Sequence, residues 1–104
     1  MADNSALNSL VERFRGRLRL EIGEFAKLNQ ELEDPRTCCE IENRAHKLAG
    51  LAGSLGFKEI SSIAKELDRP AEKLMRDMEA TRQSLVRLVE SMSEAANYSR
   101  SDRI

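Results

Sequence analysis

Apolar residues recur every three or four positions over the first third of the chain. They fall at Leu7, Leu10, Val11, Phe14, Leu18, Ile22, Phe25, Leu28 and Leu32. This spacing predicts one long amphipathic helix. Asp34-Pro35 follows and predicts its end, because the residue before a proline is pushed away from helical geometry.

A second apolar stripe predicts a second helix. Its members are Ile41, Ala45, Leu48, Ala52 and Leu55. Thr37-Cys38-Cys39-Glu40 fits a capping box at the start, with Thr37 serving the backbone of the first turn. Gly56 stands where a helix would end in a left-handed turn.

Two further stripes complete the pattern. A short helix is predicted from Ile60, Ile63, Ala64 and Leu67, and Pro70 marks the next boundary. A last helix of about six turns is predicted from Leu74, Met78, Thr81, Leu85, Leu88, Met92 and Ala95. No β-alternation extends over a useful length. The chain is therefore expected to be all-α, an antiparallel up-down-up-down four-helix bundle and a monomer.

Length and charge limit the domain count and the classes of partner. The chain has 104 residues, which suits one small domain over residues 1–98, followed by a frayed polar tail at 99–104. Its 17 basic and 18 acidic residues leave a formal charge of -1. This balance argues against binding to nucleic acid or to an anionic membrane. No apolar run reaches the roughly 20 residues of a membrane span, and no signal-peptide pattern opens the chain, so we expect a cytoplasmic protein.

Two adjacent cysteines, Cys38 and Cys39, are the only ones in the sequence. Neighbouring helical positions point about 100° apart, so a disulfide framework or a metal site of the Cys-x-x-Cys type is not expected. Reduced structural thiols are the favoured interpretation over a redox role.

His46 is the only histidine, and helical geometry places it away from the second apolar stripe. It lies about 140° from the centre of that stripe, with Gly50 at about 180° and Gly53 at about 120°. We therefore expect His46 to face solvent, with Ala49, Gly50 and Gly53 leaving its imidazole unobstructed. An interior glycine costs roughly 1 kcal/mol relative to alanine. The favoured reason for two glycines in this helix is access for a partner. The alternative is close helix packing or a weak helix end.

Asp68 is predicted to lie level with His46 if the second and third helices form an antiparallel hairpin. Its carboxylate could then bond one ring nitrogen and leave the other as a nucleophile. A helix N-cap before Pro70 is an equally good interpretation of Asp68. Lys47 is the preferred candidate to offset negative charge at His46, whereas Arg44 and Lys58 are better explained as solvated surface charges.

The segment Ala45-His46-Lys47-Leu48-Ala49-Gly50-Leu51-Ala52-Gly53-Ser54-Leu55-Gly56-Phe57 resembles the signature of histidine-phosphotransfer (HPt) domains. The matching positions are His46, Leu48, Gly50, Ala52, Gly53 and Gly56. Two positions depart from that pattern. The family commonly has a lysine three residues after the histidine and a serine or alanine at five, where this chain has Ala49 and Leu51.

The resemblance implies a phosphocarrier rather than an enzyme. His46 would accept a phosphoryl group on the nitrogen remote from the backbone, while Asp68 orients the imidazole. Partners would be response-regulator receiver domains and a hybrid or cognate sensor histidine kinase. No intrinsic cofactor is implied, because Mg²⁺ and the catalytic aspartate would belong to the receiver. The docking face would contain Lys47, Ala49, Gly50, Gly53, Ser54 and Phe57, with Leu51 as a further apolar contact.

Two other function classes compete with this interpretation. A non-phosphorylated adaptor could bind a kinase or a regulator through the same bundle, and Ala49 in place of the family lysine gives that alternative some weight. Such an adaptor should tolerate His46→Gln. A metal or haem bundle is disfavoured because one histidine offers too few ligands.

Overall fold

Five helices make up the computed structural model, which describes the backbone of residues 5–101 and the side chains of residues 5–97. They are α1 (Ser5–Leu28), α2 (Pro35–Ser54), α3 (Lys58–Leu67), α4 (Ala71–Arg76) and α5 (Met78–Ser101). The described backbone contains no strand. The all-α prediction is therefore confirmed, but the count of four helices is not.

The extra helix arises because the predicted last helix is interrupted at Asp77, where φ is -102° and ψ is 51°. The Thr81 hydroxyl donates to the Leu74 carbonyl across this break at 2.9 Å. Two buried polar groups thereby satisfy each other. The apolar stripe continues from Leu74 to Leu85 without a shift, so periodicity alone gave no sign of the interruption.

The start of α2 differs from the predicted capping box. Asp34 is the N-cap, with φ -86° and ψ 121°, and its carboxylate accepts from the Arg36 amide at 2.9 Å. Pro35 occupies the first helical position, where its missing N–H has no cost. Thr37 lies inside the helix and is buried, so its assignment as the cap was wrong.

The end of α2 follows the prediction at Gly56, whose φ is 90°. The Phe57 amide donates to the Ala52 carbonyl at 2.9 Å and the Gly56 amide donates to the Gly53 carbonyl at 3.3 Å. This is a Schellman ending, which requires a left-handed residue and therefore favours glycine. It turns the chain directly into α3.

Residues from α1, α2, α3, α4 and α5 share one apolar core. The largest fully buried side chains are Phe25, Leu18, Leu32, Ile41, Ile60, Leu67, Leu74, Leu85, Leu88, Met92 and Cys38. The α1 stripe was predicted to be buried from Leu7, but Leu7 and Leu10 are half exposed. Phe14, the first buried residue of α1, packs on Phe57 just after the α2–α3 turn. The preceding turns of α1 extend past the end of that hairpin.

Contacts between side chains and carbonyls show the directions of the long helices. Arg15 near the start of α1 donates to the Ala95 carbonyl late in α5 at 3.0 Å. Arg82 early in α5 donates to the Asn29 carbonyl just after α1 at 3.2 Å. These two helices therefore run in opposite directions.

The chain beyond residue 98 was predicted to be a frayed tail. The backbone of α5 is helical through Ser101, so residues 99–101 belong to the helix. The rest of that tail, residues 102–104, lies outside the described part. None of the helices in the described part has both the length and the apolarity needed to cross a membrane.

Candidate functional site

An exposed histidine is held by a carboxylate at the α2–α3 boundary. The His46 side chain is 74% exposed, and its Nδ1 lies 2.9 Å from Oδ2 of Asp68. Asp68 follows the last residue of α3 and is one-third exposed. His46 faces solvent, as helical geometry predicts. Asp68 lies beside it, as predicted for an antiparallel hairpin of α2 and α3.

The alternative role of Asp68 as an N-cap is wrong. Pro70 occupies the N-cap position of α4, and no side chain caps that helix end. The carboxylate of Asp68 is directed at the imidazole instead.

The contact with Asp68 selects one tautomer of His46. An ionised carboxylate can only accept a hydrogen bond, so Nδ1 carries the proton. Nε2 then carries the lone pair of the ring. A neutral imidazole in this state is a nitrogen nucleophile.

A close contact between α2 and α3 keeps His46 and Asp68 at the same height along the two helices. Ser61, buried on α3, donates to the Ala49 carbonyl at 2.9 Å. A Cβ placed on Gly53 would stand 3.1 Å from Oγ of Ser61. Gly53 and Ser61 are each seven residues from His46 and Asp68 respectively, so the two pairs lie in the same register, two turns apart.

The structure gives different reasons for the absence of a side chain at Gly50 and at Gly53. A Cβ on Gly50 would meet nothing within 4 Å, so this position leaves open space beside His46. A Cβ on Gly53 would press on Ser61, as the close-packing alternative expects. Sequence reasoning missed Ser61, although its spacing of seven residues from Asp68 marks it as lying on the same face of α3.

Ala49 does not belong to the exposed docking face on which the sequence placed it. Its side chain is only 5% exposed. The buried arc of α2 is wider than the predicted stripe, because this helix packs on α3 as well as on the core, and Ala49 faces α3. The small methyl group permits the close approach of the two helices.

The other predicted docking residues of α2 are exposed. Lys47, Gly50, Gly53 and Ser54 are open to solvent, and Leu51 is 41% exposed. Lys47 and Leu51 line a cavity of about 340 Å³ between α1 and α2. They therefore lie on the side of His46 that is away from Asp68.

Phe57 is only partly available for a partner. Its ring packs on Phe14 with centroids 5.0 Å apart, and the Arg15 guanidinium lies 5.7 Å from its centroid. Its main contacts are thus within the fold.

Arg44 is occupied by an ion-pair network between α1 and α2. It bonds Glu40 at 2.8 Å and Glu21 at 2.9 Å, and lies 3.5 Å from Glu24. Burial opposes its charge, but the hydrogen bonds to Glu40 and Glu21 outweigh burial and raise the pKa of Arg44. The sequence analysis favoured a solvated surface charge, whereas the guanidinium is partly buried and links α1 to α2.

The two cysteines have different surroundings. Cys38 is buried and its thiol donates to the Leu32 carbonyl at 3.5 Å. Burial raises the pKa of the Cys38 thiol, whereas Cys39 is exposed. Among the residues that the structure describes, no cluster of three or more His, Cys, Asp or Glu side chains could hold a metal ion.

Comparison with protein families shows which family the chain belongs to. The family model described as the Hpt domain matches residues 9–98, which include His46 and Asp68. The chain belongs to the Hpt domain family. Hpt domains are phosphocarrier modules of two-component phosphorelays rather than enzymes. None of the curated proteins or solved structures compared with this Hpt domain matches it.

Proposed function

We propose that this Hpt domain accepts a phosphoryl group on Nε2 of His46 from the aspartate of one receiver domain and passes it to the aspartate of another. The observation that carries the proposal is the exposed imidazole whose Nδ1 is held by Asp68 at 2.9 Å. It supports the choice of Nε2 as the nucleophile, because Nδ1 is occupied by the carboxylate.

The proposed transfer step is a displacement at phosphorus. The Nε2 lone pair forms the N–P bond while the bond from phosphorus to the aspartyl oxygen breaks, and that oxygen leaves with the electron pair as a carboxylate. The imidazole keeps its Nδ1 proton and becomes a phosphoimidazolium. Its positive charge is stabilised by Asp68, since hydrogen bonds between ionised partners are the stronger ones. Reversal of the same step returns the phosphoryl group to a second receiver.

The partner supplies what this domain lacks. Mg²⁺ and the acceptor aspartate belong to the receiver, and the Hpt domain contributes a nucleophile and a docking surface. That surface consists of Gly50, Gly53 and Ser54 beside His46, with Lys47 and Leu51 toward α1. The open space at Gly50 supports this choice, because a partner must approach within bonding distance of the ring.

The proposal includes the phosphoryl donor, the cellular compartment and the oligomeric state of the domain. A hybrid or cognate sensor histidine kinase supplies the phosphoryl group to the first receiver. The near-neutral charge supports a cytoplasmic protein that acts on other proteins. The shared core supports a monomer in which the four longer helices form an up-down-up-down bundle and α4 extends the last of them.

Labelled phospho-receivers test the proposal directly. Each is incubated with Mg²⁺ and either wild type or His46→Gln, and we expect acid-labile, base-stable label on wild type alone. Lys58→Gln serves as a matched surface control and should be labelled like wild type. Binding of a receiver without transfer of label would reject the phosphocarrier role and favour the adaptor, for which Ala49 in place of the family lysine is the supporting observation.

A further inference from the structure

Phosphorylation of His46 creates a charge that the immediate surroundings do not balance. A phosphoryl group adds between about one and a half and two negative charges at neutral pH. Asp68 is already acidic and is committed to Nδ1. One turn along α2 from His46, the side chain of Ala49 is an uncharged, buried methyl group. A cation near Nε2 would offset part of this charge.

Two of the three basic residues of α2 form ion pairs elsewhere, and the third lies on another side of the helix. Arg36 pairs with Asp34 at the start of the helix, and Arg44 lies in the network with the carboxylates of α1 and Glu40. Lys47 lines the cavity between α1 and α2, on the side of the helix that is away from Asp68.

Two basic residues of α3 and the link after it also lie elsewhere. Lys58 lines a groove with Arg15 of α1 and Glu94 of α5. Arg69 lines a groove with Thr81 of α5, and its nearest carboxylate is that of Asp77 at 4.0 Å. Both grooves involve α5 and lie away from α2.

Lys65 on α3 is placed differently from these residues. It is exposed and forms no ion pair with the residues that the structure describes. On α3 it lies about 40° from Ser61 and about 60° from Asp68, the two residues that contact α2. The register set by Gly53–Ser61 and His46–Asp68 places Lys65 level with Ala49, about 4.5 Å along the axis from His46.

We propose that the Lys65 ammonium contacts the phosphoryl oxygens on phosphorylated His46 and supplies from α3 the positive charge that α2 lacks at Ala49. The flexible lysine stem bridges the boundary between the helices over Gly50, where a Cβ would meet nothing within 4 Å. This inference rests on the proposed function, since it concerns the phosphorylated state of the same histidine.

Phosphoramidate is the probe that tests this contact, because it phosphorylates histidine without a docking partner. The rate of His46 phosphorylation is measured for wild type, Lys65→Gln, Lys65→Arg, Lys47→Gln and Lys58→Gln. We expect Lys65→Gln to slow the reaction by about twofold to fivefold, the range of an exposed charged contact. Lys65→Arg should retain most of the rate, and the other two variants should change it by less than Lys65→Gln does.

Salt distinguishes a charge contact from a structural effect. The difference between wild type and Lys65→Gln should shrink at about 1 M salt, where the screening length falls to about 3 Å. A Lys65→Gln rate equal to that of Lys58→Gln, a larger loss in Lys47→Gln, or a difference that salt leaves unchanged would overturn the role of Lys65 alone. Wild type that takes no phosphoryl group from phosphoramidate or from any receiver would overturn the proposed function and this inference together.

Discussion

Gly53 on α2 lies so close to Ser61 on α3 that a Cβ on the glycine would stand 3.1 Å from the serine Oγ. Two turns away, in the same register, Asp68 holds the imidazole of His46. The close approach at Gly53 therefore sets the separation of α2 and α3 at which the histidine and the carboxylate meet.

This relationship predicts different results for two glycine-to-alanine substitutions on one helix. Gly50→Ala should raise the free energy of unfolding by about 0.5 to 1 kcal/mol, because the methyl group enters open space and alanine is the better helix former. Gly53→Ala should gain less or lose stability, because Ser61 must move. Urea unfolding of both variants tests the pair, and equal gains would contradict the close packing.

Asp68→Ala should release the imidazole without unfolding the domain. The ring then populates both neutral tautomers, and phosphotransfer should slow by about tenfold, as for loss of a positioned hydrogen bond worth about 1.4 kcal/mol. ¹⁵N NMR of His46 measures the tautomers directly. Wild-type tautomer populations and rate in the variant would contradict the orienting role of Asp68.

The ion pair between Glu66 and Arg87 should make part of the free energy of unfolding depend on pH. Arg87 binds its carboxylate through two hydrogen bonds of 3.0 and 3.1 Å, and chiefly these bonds lower the pKa of Glu66. A carboxyl whose pKa is lower in the folded state stabilises the fold above its unfolded pKa of about 4.3, and this stabilisation is lost as pH falls through the lower folded value.

Glu66→Gln therefore should lower the free energy of unfolding at pH 7 by less than about 1 kcal/mol, since the pair is largely exposed. The difference from wild type should shrink as pH falls through the lowered pKa of Glu66 and disappear once the carboxyl is protonated in both states. Glu72→Gln on α4 is the matched control, since Glu72 forms no ion pair with the described residues. A difference that persists at low pH would show that the ion pair is not its cause.

Cys38 and Cys39 should differ in reactivity although they are adjacent. Cys39 is exposed and should be alkylated by iodoacetamide in the native protein. Cys38 is buried, with a raised thiol pKa, and should react only when the domain unfolds. Mass spectrometry before and after denaturation distinguishes one modification from two. Equal native reactivity would contradict the packing at the start of α2.

The sequence predicted the features that depend on local periodicity and turn chemistry. The exposure of His46 follows from its angle to the apolar stripe, and the end of α2 follows from the need for a left-handed residue at Gly56. The level of Asp68 follows from counting residues around that turn. Each of these depends on one helix or one hairpin.

The sequence did not predict the features that depend on packing between helices. The break at Asp77 leaves the apolar stripe intact, so no periodicity marks it. The burial of Ala49 depends on the approach of α3, and the exposure of Leu7 and Leu10 depends on where the hairpin ends beside α1. The choice of Asp34 over Thr37 as N-cap was within reach of the sequence, because proline favours the first helical position.

The nitrogen that carries the phosphoryl group is the most direct test of the account. After phosphorylation with phosphoramidate or a phospho-receiver, ³¹P–¹⁵N coupling in the labelled protein identifies the bonded atom. The structure predicts the N–P bond at Nε2 of His46, with Nδ1 still protonated against Asp68. A phosphoryl group on Nδ1, or on any residue other than His46, would contradict the account.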